Sequence, residues 1–184
     1  MRARLAWTLV ACGLCAAAGA RADLLVREVA MELTDTALVA STEIRLALGA
    51  QVEEALLSGV ELKFDIHHEL RRKSRYWRDE RLAQRVLARR LRFHALTRRL
   101  VLSSDEGEAV TYRALDDALA ELGRIEALEL PLPEHQPLPA DGEYVLRVRI
   151  ALDIEALPPP LRPVAYTSPA WYLDSGWSVW ALRR

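Results

Sequence analysis

Apolar and polar residues alternate along most of the chain, which is the two-residue period of a β-strand. Residues 60–70 carry it most clearly: Val60, Leu62, Phe64, Ile66, His68 and Leu70 share one face, and Glu61, Lys63, Asp65, His67 and Glu69 share the other. One dry face and one wet face make a half-buried antiparallel strand. Residues 143–155 repeat the pattern after a turn at Ala140-Asp141-Gly142, with Leu146, Val148, Ile150, Leu152 and Ile154 opposed to Arg147, Arg149, Asp153 and Glu155. Strands also fit 24–33, 38–48, 90–95, 98–103 and 124–130. Two short helices interrupt them: 51–58 runs into Gly59 and 114–122 into Gly123, each with glycine at the expected C-terminal cap. Residues 75–88 fit helix and strand alike. Long strands with one dry face need a second layer to cover it, so the expected fold is mainly β, an antiparallel two-sheet sandwich with two short helices.

The first 22 residues depart from this pattern. Met1-Arg2-Ala3-Arg4 is followed by an apolar run from Leu5 to Ala18 and then by Ala20-Arg21-Ala22. A basic start, a hydrophobic stretch and a small-x-small site read as a secretory signal peptide, with Asp23 as the first mature residue. The run is too short and alanine-rich for a membrane span of about 20 residues, and nothing later is long and apolar enough, so no transmembrane segment is expected in the mature chain. Cys12 and Cys15 both fall inside the leader, leaving residues 23–184 as a cysteine-free single domain that must hold together without disulfides. Leu9-Val10-Ala11-Cys12 also fits a lipoprotein box, the alternative in which Cys12 is lipidated and anchors the chain. The expected location is periplasmic or exported.

Charge sharpens the picture. Without residues 1–22 the chain has 22 Lys and Arg against 26 Asp and Glu, a net −4. Yet 12 of those basic residues lie between Arg71 and Arg99, facing only Asp79 and Glu80 in that stretch, so the remainder is strongly acidic. Arginine forks suit phosphates and carboxylates, which makes Arg89, Arg92, Arg98 and Arg99 candidates for binding an anionic lipid surface or an acidic envelope protein. The competing reading pairs them with the domain's own acids across neighbouring strands. A net acidic, exported domain is a poor nucleic-acid binder.

Candidate chemistry is sparse. His67 and His68 are adjacent on a strand and point to opposite faces, so they do not share an ion. His67 with Asp65 and Glu69 forms at most an exposed row, His68 reads as a core histidine, and His94 and His135 lack partners at metal spacing. No metal or cofactor is expected. The chain has no G-x-S-x-G, H-E-x-x-H, S-x-x-K or P-loop signature. Asp116 with Asp117 reads as the first turn of a helix, and Asp153 with Glu155 as a solvated strand face. An enzyme would need an unrecognised carboxylate site.

Aromatic residues gather at the C-terminus. Tyr166, Trp171, Tyr172, Trp177 and Trp180 follow Pro158-Pro159-Pro160-Leu161-Arg162-Pro163, which favours an extended segment. Tyr166, Trp171, Trp177 and Trp180 either seal the sandwich as a closing strand or form a recognition surface.

Tyr76-Trp77 in the basic stretch, Leu91-Arg92-Phe93-His94-Ala95-Leu96-Thr97-Arg98, the helix end Leu119 to Gly123, Leu130-Pro131-Leu132, and Leu161-Arg162-Pro163-Val164-Ala165-Tyr166 through Trp171 and Ser175-Gly176-Trp177 resemble a family of exported Gram-negative proteins, the domain of unknown function 4390. The resemblance spans nearly the whole mature chain. It implies an envelope location and, because such genes often lie near those of a membrane sensor kinase, a signalling partner; it supplies no catalytic residue. The expectation is therefore an exported binding or accessory protein of the cell envelope that is not an enzyme, contacting an anionic surface or a signalling partner.

Overall fold

The computed structural model describes residues 23–34, 36–74, 78–105, 107, 109–132, 138 and 142–182. The expected leader with Cys12 and Cys15, the Tyr76-Trp77 pair, His135, and Ala140 and Asp141 of the expected turn lie outside the described residues.

Strands dominate. β1 (Asp23–Leu33), β2 (Ala37–Ala47) and β7 (Arg124–Pro131) form a three-stranded antiparallel sheet in the order β1-β2-β7. β3 (Leu62–Arg72), β4 (Glu80–His94), β5 (Arg99–Ser104), β6 (Ala109–Tyr112), β8 (Tyr144–Leu152) and β9 (Ser178–Ala181) form a six-stranded one in the order β6-β5-β4-β3-β8-β9. The two sheets make the expected sandwich, with a contiguous core between them.

The alternation decides which faces meet. On β3, Leu62, Phe64, Ile66, His68 and Leu70 are fully buried, and on β8 Leu146, Val148 and Ile150 are too. Burying each such aliphatic or aromatic side chain stabilises by about 1.5–3 kcal/mol. The core's polar pair joins the sheets: Thr42 Oγ1 of β2 lies 3.1 Å from His68 Nε2 of β3. Both expected helices are present, α1 (Ala50–Leu57) and α2 (Leu115–Leu122), with Val52, Leu56, Ala118, Leu119 and Leu122 turned into the core.

Gly59 takes a left-handed φ of 93° after α1, where glycine relieves the Cβ clash. Gly123 does not: its φ is −84°, and a Cβ there would stand 1.9 Å from Ile44 O. This glycine is required by close approach to β2, whose Ile44 N–H donates to Gly123 O at 2.9 Å.

One open reading is resolved and two expectations need correction. The 75–88 segment, which fits helix and strand alike in sequence, is strand from Glu80 onward; apolar Val86 and Ala88 stand on the solvent face opposite His67 and Asp65 while Ala83 and Leu87 face the core, which blurs the two-residue period, and Leu82 is the extra residue of a bulge opposite the step from Leu70 to Arg71. The 143–155 strand stops at Leu152, and Asp153 then accepts from Glu155 N–H (3.0 Å) and Ala156 N–H (3.2 Å) to start a 3-10 turn over Ile154–Ala156. The proline-rich segment is not simply extended: α3 (Arg162–Thr167) follows it, with Pro163 in the first turn, where no intrahelical bond needs its missing N–H. Among the described residues no helix is long and apolar enough to cross a membrane.

Candidate functional site

Eight arginines of the basic stretch fall into two groups. Arg71 Nε donates to Glu69 Oε2 at 2.9 Å, and Arg81 Nη1 lies 3.7 Å from Glu69 Oε1. Arg72 pairs with Glu80, and Arg90 Nη1 with Asp105 Oδ1 at 2.7 Å. Arg89 is also committed: its guanidinium donates to Glu121 O and Arg124 O, both at 3.2 Å, tying β4 to the C-terminal end of α2 and the start of β7. It faces the core side of the sheet, level with Phe64, and is separate from the candidates further along β4.

Arg92, Arg98 and Arg99 form the second group, and the β4–β5 hairpin brings them together. Arg92 stands opposite Val101 and His94 opposite Arg99, so Arg92 and Arg99 are diagonal neighbours on the solvent face of the sheet, about 7–8 Å apart in such a ladder. Arg98 closes the four-residue loop with a left-handed φ of 49°, a conformation uncommon for a residue with a side chain. Among the described residues none of these three makes a side-chain hydrogen bond or ion pair. Leu96 at the tip of the hairpin is 93% exposed. A bare leucine ringed by three unneutralised arginines is suited to meeting an anionic surface with an apolar layer beneath it.

The C-terminal aromatics divide between the two faces. Trp171, in a 3-10 turn over Pro169–Trp171, is buried, and Trp180 on β9 stands opposite Leu146 on the core side. These two seal the sandwich. Trp177 and Tyr166 instead face solvent. Arg147 stacks on the Trp177 ring, its Cζ 4.5 Å from the centroid, Arg149 follows at 6.0 Å, and His67 meets it edge-on at 6.2 Å. Tyr166 donates its hydroxyl to Glu155. The cluster of His67, Arg147, Arg149 and Trp177 was missed in the sequence, where its ends, His67 and Trp177, are 110 positions apart; the only signal was the shared wet-face parity of Arg147 and Arg149.

Ion pairs also govern the carboxylates beside it. Lys63 Nζ bridges Asp65 Oδ1 (3.3 Å) and Asp153 Oδ2 (2.8 Å). Burial pushes the Asp153 carboxyl up, but the hydrogen bond and charge of Lys63 and the Ala156 and Glu155 N–H groups outweigh it and hold the carboxyl below its ordinary range. Asp174 accepts from Arg149 Nε at 2.9 Å and from Arg149 Nη2; that bond holds its carboxyl low. Inside the core, burial and then the neighbouring His67 depress His68 to about 4, so it is neutral at neutral pH. Among the described residues no group of three or more His, Cys, Asp or Glu side chains is placed to hold a metal.

Comparison with known proteins adds one finding. The model of the domain of unknown function DUF4390 matches residues 21–181. The chain belongs to the DUF4390 family. Within this DUF4390 domain the match runs from the first strand to β9 and so takes in the arginine hairpin and the aromatic face alike. No curated protein and no solved structure matches the chain.

Proposed function

We propose that this DUF4390 protein is an exported binding module of the cell envelope that docks on an anionic lipid surface through the end of its β4–β5 hairpin. One observation carries the reading: Arg92, Arg98 and Arg99 are left without internal partners around the exposed Leu96, while Arg71, Arg72, Arg81, Arg89 and Arg90 are used within the fold. In a net acidic domain, a local excess of positive charge beside an apolar tip gives a membrane surface one preferred point of approach. Each arginine near such a surface contributes about 1 kcal/mol, so three give about 3 kcal/mol, or roughly a hundredfold in binding. Export and a periplasmic location rest on the leader pattern of residues 1–22.

The enzyme alternative has no supporting observation. Asp153 and Glu155 are each held in an ion pair, with Lys63 and Arg162, rather than set as a free acid beside a free base. Flotation tests the docking reading: the protein should rise with phosphatidylglycerol-rich vesicles at low salt, stay down with phosphatidylcholine vesicles, and detach near about 0.15 M salt, where charges are screened within about 8 Å. Absence of flotation at low salt would remove it.

A further inference from the structure

The solvent face of the larger sheet holds a second feature, built from β3, β8 and α3 and apart from the arginine hairpin. Ala151 stands on β8 between Arg149 and Asp153 and directly opposite Asp65 of β3. Its short side chain leaves a depression among longer neighbours, a cleft of about 220 Å³ walled by Asp65, His67, Arg149, Asp153, Glu155 and Tyr166.

Each charged wall group is held by a partner. Lys63 fixes Asp65 and Asp153, Asp174 fixes Arg149 through two bonds, and Arg162 Nη1 lies 3.7 Å from Glu155 Oε2. Tyr166, 61% exposed, is tethered by its hydroxyl to Glu155 yet leaves its ring open to solvent. Trp177 extends the same surface past His67. Lys63 is shared by Asp65 and Asp153, Arg149 holds Asp174 and Arg162 holds Glu155, and with Arg147 stacked on Trp177 the four cations equal the four acids in number, so the surface from the cleft to Trp177 offers fixed donors and acceptors and no net charge.

We propose that this cleft binds an uncharged saccharide, with one sugar ring over Ala151 and against Tyr166 and the next sugar reaching Trp177. Several features select that class. Pinned carboxylates keep lone pairs free to accept from sugar hydroxyls, while the guanidinium of Arg149 and the ring of His67 supply donors. Side chains already ordered by ion pairs lose little entropy when a ligand arrives. Aromatic rings cover the C–H faces that hydroxyl recognition leaves bare. Because the charges of this surface sum to zero, a charged ligand would gain little net Coulomb attraction to offset its desolvation. The cleft is smaller than the ~300–1,000 Å³ of pockets for drug-sized molecules, which suits one ring of a longer chain lying across the sheet. Binding is proposed rather than cleavage: Asp153, held ionised by Lys63, is not the protonated carboxyl that glycoside hydrolysis uses as its acid.

The test is an NMR titration of the purified protein with chitotriose, cellotriose and maltotriose, using trigalacturonate as the charged comparison. At least one neutral trisaccharide should move the Trp177 indole signal together with those of His67 and Arg149, and trigalacturonate should bind more weakly. Tyr166→Ala should weaken binding about tenfold, equivalent to roughly 1.4 kcal/mol of contact. Ala151→Leu should fill the floor and abolish binding with the melting temperature unchanged. The proposal is overturned if no neutral trisaccharide moves these signals at millimolar concentration, if trigalacturonate binds more tightly, or if Ala151→Leu binds as well as the parent protein. Arg92, Arg98 and Arg99 contribute nothing to the cleft, so failure here leaves vesicle docking standing, and the converse.

Discussion

Acid should weaken this fold through His68 before it reaches the carboxylates. The ring is completely buried between the sheets; Nε2 meets Thr42 Oγ1, and Nδ1 has no hydrogen-bond partner. Protonation would place a charge and an unpaired N–H donor in the core, which agrees with a value lowered from 6.5 to about 4, chiefly by burial. Above pH 6.5 the ring is neutral in folded and unfolded chains alike and this residue adds no pH dependence. Between 6.5 and about 4 the unfolded chain takes up a proton that the folded chain refuses, so stability falls by about 1.4 kcal/mol per pH unit. From pH 7.5 to 4.5 the loss should come to between about 2 and 3 kcal/mol. Asp153 and Asp174, whose carboxyls are lowered, contribute stability that is present above their unfolded value of 3.8 and lost below it, largely outside this window. Urea unfolding at pH 7.5, 6.5, 5.5 and 4.5 measures the slope. The double variant Thr42→Val, His68→Leu removes both polar partners and should flatten it. Equal slopes in parent and double variant would refute a buried neutral histidine.

Other consequences are simpler. Gly123→Ala should destabilise by about 3 kcal/mol, the upper end of the overpacking range, because its Cβ would meet Ile44 O; urea unfolding reads this, and a neutral result would mean that β2 and the end of α2 are not in close approach. Arg89→Ala should cost about 1 kcal/mol by releasing its bonds to Glu121 O and Arg124 O, whereas Arg92→Ala should stay within about 0.5 kcal/mol; thermal melts of the two side by side check the sorting of the arginines. Protein exported from a Gram-negative host should have the intact mass of a chain starting at Asp23, and an acylated species starting at Cys12 would replace the soluble form with a lipoprotein.

Legibility in the sequence followed the physics of burial. β3 and β8 were plain because each buries one face and wets the other, so the period is written directly in Leu62 to Leu70 and Leu146 to Leu152. β6 was missed because Ala109–Tyr112 is a four-residue edge strand with no buried side chain to mark a face. β4 was ambiguous because Val86 and Ala88 put apolar side chains on its wet face beside core-facing Ala83 and Leu87, and α3 was hidden because prolines that usually oppose a helix here stand ahead of it and in its first turn. At the candidate site, the density of arginines was visible but their roles were not. Only register separates Arg89, aimed at two backbone carbonyls, from Arg92 three positions later on the opposite face. Likewise the saccharide cleft depends on Ala151 lying opposite Asp65, a pairing across 86 positions that no local pattern records.

Partnerless arginines, rather than the basic stretch as a whole, are proposed to hold the protein on an anionic surface. Flotation of two variants at low salt tests it most directly: Arg92→Ala, Arg98→Ala, Arg99→Ala in one, and Arg71→Ala, Arg72→Ala in the other. The triple variant should lose binding to phosphatidylglycerol-rich vesicles by roughly a hundredfold while the double variant floats like the parent protein. Equal losses per arginine in the two variants, or flotation of the triple variant at the parent level, would contradict it.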